Sequence, residues 1–357
     1  MYLDISEIQT IQMDHTSRCN LGCPQCARMW DNGKSINPAM PITDLTLDDY
    51  KIILEPFKDN SVQLFHCGNF GDVIASPTFD ETYEFSLQKA RRIKIATNGS
   101  ARTTDWWKHL AEKGGEKNLV IFAFDGLEDT NHLYRVGANW NKAIENAKAY
   151  IDAGGRAEWN FIEFEHNYHQ IDTARQMATD LGFSSFNVKY TARFADQQTK
   201  KLTTKKGNEV RDTSDNQNQK DMNNIIQTYD TFDEYVQQTP ITCKFQRDNH
   251  IFIDMTMKLW PCCWMGAPEF LSHKNRQTDS FKHFWKLYGK DFNDMRKHGW
   301  KVLEHEFFQK YLDRSWNDQD DTYKRIYTCG RTCGDKFEYS SGYGKNFNSE
   351  VLKNEAR

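Results

Sequence analysis

Cys19-Asn-Leu-Gly-Cys23-Pro-Gln-Cys26 sets three thiols within eight residues, at spacings of four and three, directly after the first strand-like run of the chain. That run, Ile8 to Asp14, alternates apolar and polar residues from Ile11 onward and stops at His15. Three thiolates this close can converge on one cubane iron–sulfur cluster, which leaves the fourth iron without a protein ligand and open to an exogenous chelate. A structural zinc loop with His15 as fourth ligand is the alternative, although a structural zinc wants four closed ligands and the loop offers three.

Outward from this loop, strand-like and helical runs alternate. Ser61 to His66, Arg92 to Ala96, Leu119 to Phe124, Arg156 to Glu165 and Ser185 to Tyr190 supply five further strands. Helical spacing covers Thr46 to Phe57, Thr78 to Lys89, Thr104 to Glu112, Asn141 to Ala153 and Tyr168 to Leu181. A strand–helix unit repeated about every 30 residues implies parallel strands with helical crossovers. Six units are too few for a closed eight-stranded barrel, so the expected fold is α/β, a partial (β/α)6 TIM-like barrel with its site at the C-terminal strand ends, followed by a small C-terminal iron–sulfur domain. Residues 1–195 form the barrel core in this reading, 196–238 a polar linker or flap, 239–340 the second domain and 341–357 a loose tail. From Asp196 to Asn224 the composition promises little burial and neither helical nor strand period.

Composition narrows the classes of partner. With 46 Lys and Arg against 50 Asp and Glu, the formal charge is −4, which disfavours a protein that coats duplex nucleic acid. No run approaches the length of a membrane span, and no basic flank followed by an apolar stretch marks a secretory signal. Nine cysteines in a chain of 357 residues, odd in number and clustered, suggest metal ligation in a reducing, cytoplasmic compartment rather than disulfides. The core is lean, at 38% hydrophobic residues, and leans on 23 Phe, 15 Tyr and 10 Trp.

The loop resembles the C-x-x-x-C-x-x-C signature of the radical S-adenosylmethionine (radical SAM) superfamily, with Gln25 where that family often has an aromatic residue. The resemblance continues at each strand end over about residues 8 to 195. Cys67-Gly68-Asn69-Phe70-Gly71-Asp72, with Pro77 beyond, is similar to the family's Gly-Gly-Glu-Pro type motif; Ala96-Thr97-Asn98-Gly99 to its Thr-Asn-Gly; Phe124-Asp125-Gly126 and Tyr134-Arg135 to its Ser-x-Asp-Gly and downstream Arg; Glu163 and Asn167 complete the series. The resemblance implies a [4Fe–4S] cluster on Cys19, Cys23 and Cys26, S-adenosylmethionine (AdoMet) held through Gly68, Gly71, Asp72, Thr97, Asn98, Asp125, Arg135, Glu163 and Asn167, and an electron donor such as flavodoxin or ferredoxin. An Asp72 carboxylate would accept charge-assisted hydrogen bonds from the methionine ammonium, and glycines at 68 and 71 would let the backbone approach the ligand. A helix-capping role for Asp72 ahead of Thr78 is too distant in sequence.

Ile253 to Cys263 resembles the start of the family's SPASM or shorter twitch extension, with Met257 in place of its Gly. Cys243, Cys262, Cys329 and Cys333 suffice for one auxiliary [4Fe–4S] cluster or, equally by spacing, one zinc. Cys263 and Cys67 are left over; Cys67, His66, Glu163 and Tyr190 are the candidate catalytic residues, placed where the substrate would lie. Little chain precedes Cys19, which favours a small-molecule or short peptide substrate. Peptide maturation is the rival activity, followed by nucleoside or tRNA modification and by a non-catalytic iron–sulfur sensor.

Overall fold

The computed structural model describes residues 2–191, 201–213, 223–225, 227–270, 277–318, 320–336 and 347–352. Six parallel strands lie side by side in chain order: β1 (Thr10–Met13), β2 (Val62–His66), β3 (Ala90–Thr97), β4 (Asn118–Ala123), β5 (Arg156–Ile162) and β6 (Ser185–Lys189). The crossovers carry α1 (Leu47–Leu54), α2 (Phe79–Lys89), α3 (Thr104–Gly114), α4 (Trp140–Asp152) and α5 (Ile171–Asp180). The expected strands and helices are found within three residues of the ends read from sequence. The clearest difference is β5, which stops at Ile162, so Glu163 and Glu165 lie beyond the strand rather than on one of its faces.

Strand parity divides the sheet. One set of alternate residues, including Ile11, Met13, Leu64, Ile93, Ile95, Val120, Phe122, Trp159, Phe161, Phe186 and Val188, is buried in a single core with Tyr50 of α1, Phe79 of α2, Trp107 of α3 and Tyr150 of α4. The register places the other set, including Gln12, Gln63, Lys94, Glu158, Asn160, Asn187 and Lys189, on the inner face. This is the division of a barrel wall, apolar under its helices and largely polar within.

The sheet does not close. At the β1 edge, β7 (His250–Ile253) pairs parallel, with Thr10 opposite His250, and β8 (Leu259–Trp260) pairs antiparallel with β7. At the β6 edge, β9 (Phe347–Val351) pairs antiparallel, with Val351 opposite Ser185. Arg296, from the C-terminal segment, grips Asp49 of α1 through Nε and Nη2 at 2.7 and 2.8 Å. Among the described residues, no helix is long and apolar enough to cross a membrane.

The polar stretch expected to bury little contains a hairpin, Lys201–Thr203 against Glu209–Arg211. Leu202 and Val210 face each other across it and are buried against Tyr134 and Phe164, with Cys23 packed alongside. Two apolar residues among many polar ones suffice, because a two-stranded ribbon turns both to the same side. The parts of the flap reading that fall on 196–200, 214–222 and 226, and the last residues of the expected barrel core, 192–195, lie outside the described residues. Val210→Asp would bury a carboxylate without a partner, at a cost of several kcal/mol; the hairpin should detach, seen as proteolytic cleavage near Gly207 and faster iodoacetamide labelling of Cys23.

Candidate functional site

The Cys loop leaves β1 at the C-terminal mouth of the barrel. Arg28, buried, ties the loop to itself by donating from Nε to Ser17 O (2.7 Å) and from Nη1 to Leu21 O (3.4 Å). Gly22 N donates to Val136 O (2.8 Å), which seats the loop on the chain after β4. Cys19 lies 3.9 Å from Asn98 Nδ2, Cys26 3.9 Å from Asn69 O, and Cys23 within electrostatic reach of Arg135. Burial pushes the Cys19 thiol up, and Asp72, Cys23 and Cys26 push it further. A cationic metal centre would relieve that burden, and three thiols on one short loop suit a soft metal or a cubane. As they stand, no three His, Cys, Asp or Glu side chains among the described residues converge closely enough to hold an ion.

His15 does not join them. Its Nδ1 pairs with Tyr50 Oη (2.9 Å) and its Nε2 with Ser76 Oγ (3.0 Å), under the helices. His66 sits on the same outer side, its ring among His15, Tyr50 and Phe79. Its parity on β2 is that of Leu64, so it faces α1 and α2 and not the lumen, and burial holds it down at about 3.

Asp72 is the joint between strands. Its Oδ2 accepts from Thr97 Oγ1 (3.0 Å), Asn98 N (2.8 Å) and Asn98 Nδ2 (2.5 Å), and its Oδ1 from Ile74 N (3.4 Å). The last bond caps the turn Val73–Ala75, a nearer cap than the one at Thr78 that sequence distance rules out. Asn98 Nδ2 also donates to Asn20 Oδ1 (3.0 Å), which joins β3 to the Cys loop. Gly71 serves the chain itself: a Cβ there would stand 2.2 Å from Thr16 O and 2.8 Å from Arg18 O. Gly68 holds a left-handed φ of +68°.

Around β4 and β5, buried Asp125 binds Arg135 Nε through Oδ2 (2.6 Å) and accepts Ile162 N through Oδ1 (2.8 Å). Asn167 is a brace: Nδ2 donates to Asp125 O (3.0 Å) and Ile162 O (2.9 Å), and Oδ1 accepts from Phe164 N (2.7 Å). Glu163, half-buried, neighbours Tyr190, whose phenol is pushed up by burial and then by that carboxylate. The sequence reading misses Lys189, held down at about 8 by burial although Asp125 and Glu158 pull the other way; the alternation Asn187, Lys189 along β6 is the signal that could have found it.

The structure also gathers what the sequence left apart. Cys67 directly follows β2 with the parity of the inner face, with Asn69 Nδ2 donating to its Sγ (3.1 Å) and its thiol near Met13 O (3.5 Å) and Asp14 Oδ1 (3.8 Å). Cys263 is within electrostatic reach of both Cys67 and Asp14. Beyond Cys263, Cys262, Cys329 and Cys333 bear on one another, and Cys243 on Cys262 and Cys333. Cys329 and Cys333 share one face of the helix Tyr327–Cys333. Cys243 holds Cys333 down at about 7. Tyr2 Oη lies 3.9 Å from Cys243 Sγ and donates to Pro261 O (2.8 Å). Met257 carries the left-handed φ of +65° that a glycine would take, in a turn held by Asp254, which accepts Thr256 N (2.8 Å) and Trp260 Nε1 (2.7 Å). 

Burial raises Asp14 to about 7, with Asp254 adding to it. A carboxyl harder to ionise in the folded state contributes no penalty below its unfolded value near 3.8 and a growing one as pH climbs to about 7. The full penalty is about 4 kcal/mol as an upper figure. Asp14→Asn should therefore gain melting temperature over the parent protein, and the gap should widen between pH 5 and pH 8 in parallel thermal melts.

No protein-family model matches the chain. A curated relative from Pyrococcus furiosus, the tungsten-containing aldehyde ferredoxin oxidoreductase cofactor-modifying protein, is 26% identical over 129 residues, 36% of this chain and 33% of that one. The structure of native anSMEcpe with bound AdoMet and Cp18Cys peptide superposes with a TM-score of 0.52 at 13% identity, over 93% of each chain, and shows the same fold. Streptococcus suis SuiB bound to precursor peptide SuiA gives 0.48 at 14% identity, over 71% of this chain and 59% of SuiB. The chain thus spans a third of the curated relative and about three fifths of SuiB. The three-cysteine loop is thus seated on the strand ends of an open parallel sheet whose fold is shared with a structure that holds bound AdoMet.

Proposed function

We propose that the chain binds a [4Fe–4S] cluster through Cys19, Cys23 and Cys26, takes AdoMet beside it, and abstracts hydrogen from a substrate in the barrel lumen. The observation that carries this reading is the loop of three thiols tied through Asn20 and Asn98 to a buried carboxylate at Asp72. When bound, the cluster supplies the electron that cleaves the AdoMet sulfonium to a 5′-deoxyadenosyl radical.

The chain's own residues do the rest. Asp72 Oδ2 is filled by three donors, whereas Oδ1 accepts one long bond and keeps a lone pair for the methionine ammonium. Thr97 and Asn98 orient that carboxylate. Arg135, anchored by Asp125 and close to Cys23, can offer its remaining donors to an anion. The inner face supplies polar contacts for the substrate, with Cys67, Glu163 and Tyr190 at its mouth. Cys243, Cys262, Cys329 and Cys333 form the donor set for an auxiliary [4Fe–4S] cluster, with zinc the other occupant that four thiols suit. A reducing, cytoplasmic setting and a flavodoxin or ferredoxin as electron donor accord with nine free thiols.

A small-molecule substrate is the first reading, in keeping with the curated relative's name as a cofactor-modifying protein. Modification of a peptide is the second, favoured by the peptide bound to anSMEcpe.

Anaerobic reconstitution should give about eight irons per chain, falling to about four in a C19A/C23A/C26A variant. With dithionite and AdoMet, the native protein should form 5′-deoxyadenosine and the triple variant none. About four irons falling to none, with zinc present, would assign the C-terminal thiols to zinc; unchanged iron in the variant, or no 5′-deoxyadenosine from the native protein, overturns the proposal. Asp72→Ala should weaken AdoMet binding at least about tenfold in equilibrium dialysis, the loss of one charge-assisted hydrogen bond.

A further inference from the structure

Asp14 follows β1 and has the parity of Gln12, so it belongs to the inner face of the barrel, where β1 lies between β2 and β7. It is 1% exposed. Its Oδ1 accepts from Asn69 N (2.7 Å) and lies 3.8 Å from Cys67 Sγ, Phe70 N and the Asn69 side chain also bear on the carboxylate, and its Oδ2 makes no hydrogen bond of ordinary geometry. The other buried carboxylates along these strand ends differ. Asp72, Asp125 and Asp254 each have both oxygens engaged by donors from the chain. Leaving a buried carboxylate oxygen without a donor is costly, and such a group persists where something else satisfies it. The thiols of Cys67 and Cys263 flank it, and the charged group that bears on it is Asp254, of its own sign.

We propose that Asp14 Oδ2 is a substrate-binding acceptor on the wall between the N-terminal and C-terminal cysteine groups, and that the substrate presents to it an O–H, N–H or ammonium donor. The assignment rests on the lumen being the substrate chamber, as in the function proposed above. An anionic group, such as a carboxylate or phosphate, is disfavoured at this wall, because it would face two aspartates. The substrate class at this position is therefore an alcohol, amide or amine.

Cys67 is a built-in reporter for this wall. Methanethiosulfonates react with a thiolate at their sulfenyl sulfur: the new S–S bond forms, the S–SO2 bond breaks and methanesulfinate leaves, so no outside oxidant is consumed. The anaerobically reconstituted full chain would be treated at pH 8 with 2-aminoethyl, methyl and 2-sulfonatoethyl methanethiosulfonate, and the peptide holding Cys67 followed by mass. Relative to free cysteine, the ammonium reagent should modify Cys67 at least about tenfold faster than the sulfonate, as a nearby carboxylate dictates. Asp14→Asn should abolish that preference and Asp14→Glu should keep it; Asp14→Ser serves in place of the Asn variant if that one does not fold. Equal preference in the native protein and the Asn variant, or a Cys67 that no reagent reaches, overturns the inference. AdoMet dialysis on the native protein reports separately on the function: absent AdoMet binding defeats that reading, while the reagent ratio still reads Asp14.

Discussion

The carboxylate of Asp72 is surrounded by donors from the chain that carries it. Thr97 and Asn98 bring the end of β3 to it, Ile74 brings the turn after β2, and Asn98 passes the connection on to Asn20 in the Cys loop. A buried charge is tolerated only when hydrogen-bonded, so these partners are held together by the cost of separating them. The loop has no regular secondary structure of its own between residues 17 and 28. Its position is borrowed from this carboxylate, from the Arg28 guanidinium and from the close fit of Gly71 against Thr16 and Arg18.

The inner wall follows a different rule from the core beneath the helices. Arg135, Asp125, Lys189, Glu158 and Lys94 alternate in sign, each within electrostatic reach of the next. Charges placed in this order attract one another along the wall, and they hold the strand ends without apolar packing that would fill the lumen. On the opposite wall, burial raises the thiols of Cys67 and Cys263 and the carboxyl of Asp14, so the chamber has a charged side near β4 to β6 and a softer one facing the C-terminal cysteines.

Much of this was legible in the sequence, because the signals were local. Short strand-like runs at β2 and β4, helical spacing in α3 and α4, and three closely spaced cysteines are properties of short windows. What escaped depends on partners far away in the chain. His66 ends a strand and so looked like a site residue, but only the packing of Tyr50 and Phe79 shows that it faces outward. Leu202 and Val210 are two apolar residues in a polar stretch; their burial needs Tyr134 and Phe164, more than thirty residues earlier. Asp14 was passed over as the end of a strand, since its empty oxygen has meaning only beside Cys67 and Cys263. Asp72 was singled out by its place in a motif, yet its grip on Thr97 and Asn98 could not be seen from its neighbours in sequence.

The pairing of β1 sets an order of events during synthesis. One edge of β1 meets β2, about fifty residues on, but its other edge meets β7, with Thr10 opposite His250. At about 5–20 residues per second on the ribosome, that second edge waits on the order of 10–50 s for its partner. Throughout that interval the strand leading into the Cys loop has one bare row of backbone donors and acceptors, open to strand pairing with other chains. The segment that finally covers it brings Cys262 and Cys263 just behind, so the barrel edge is sealed and the C-terminal thiols arrive beside Asp14 and Cys67 in the same late step.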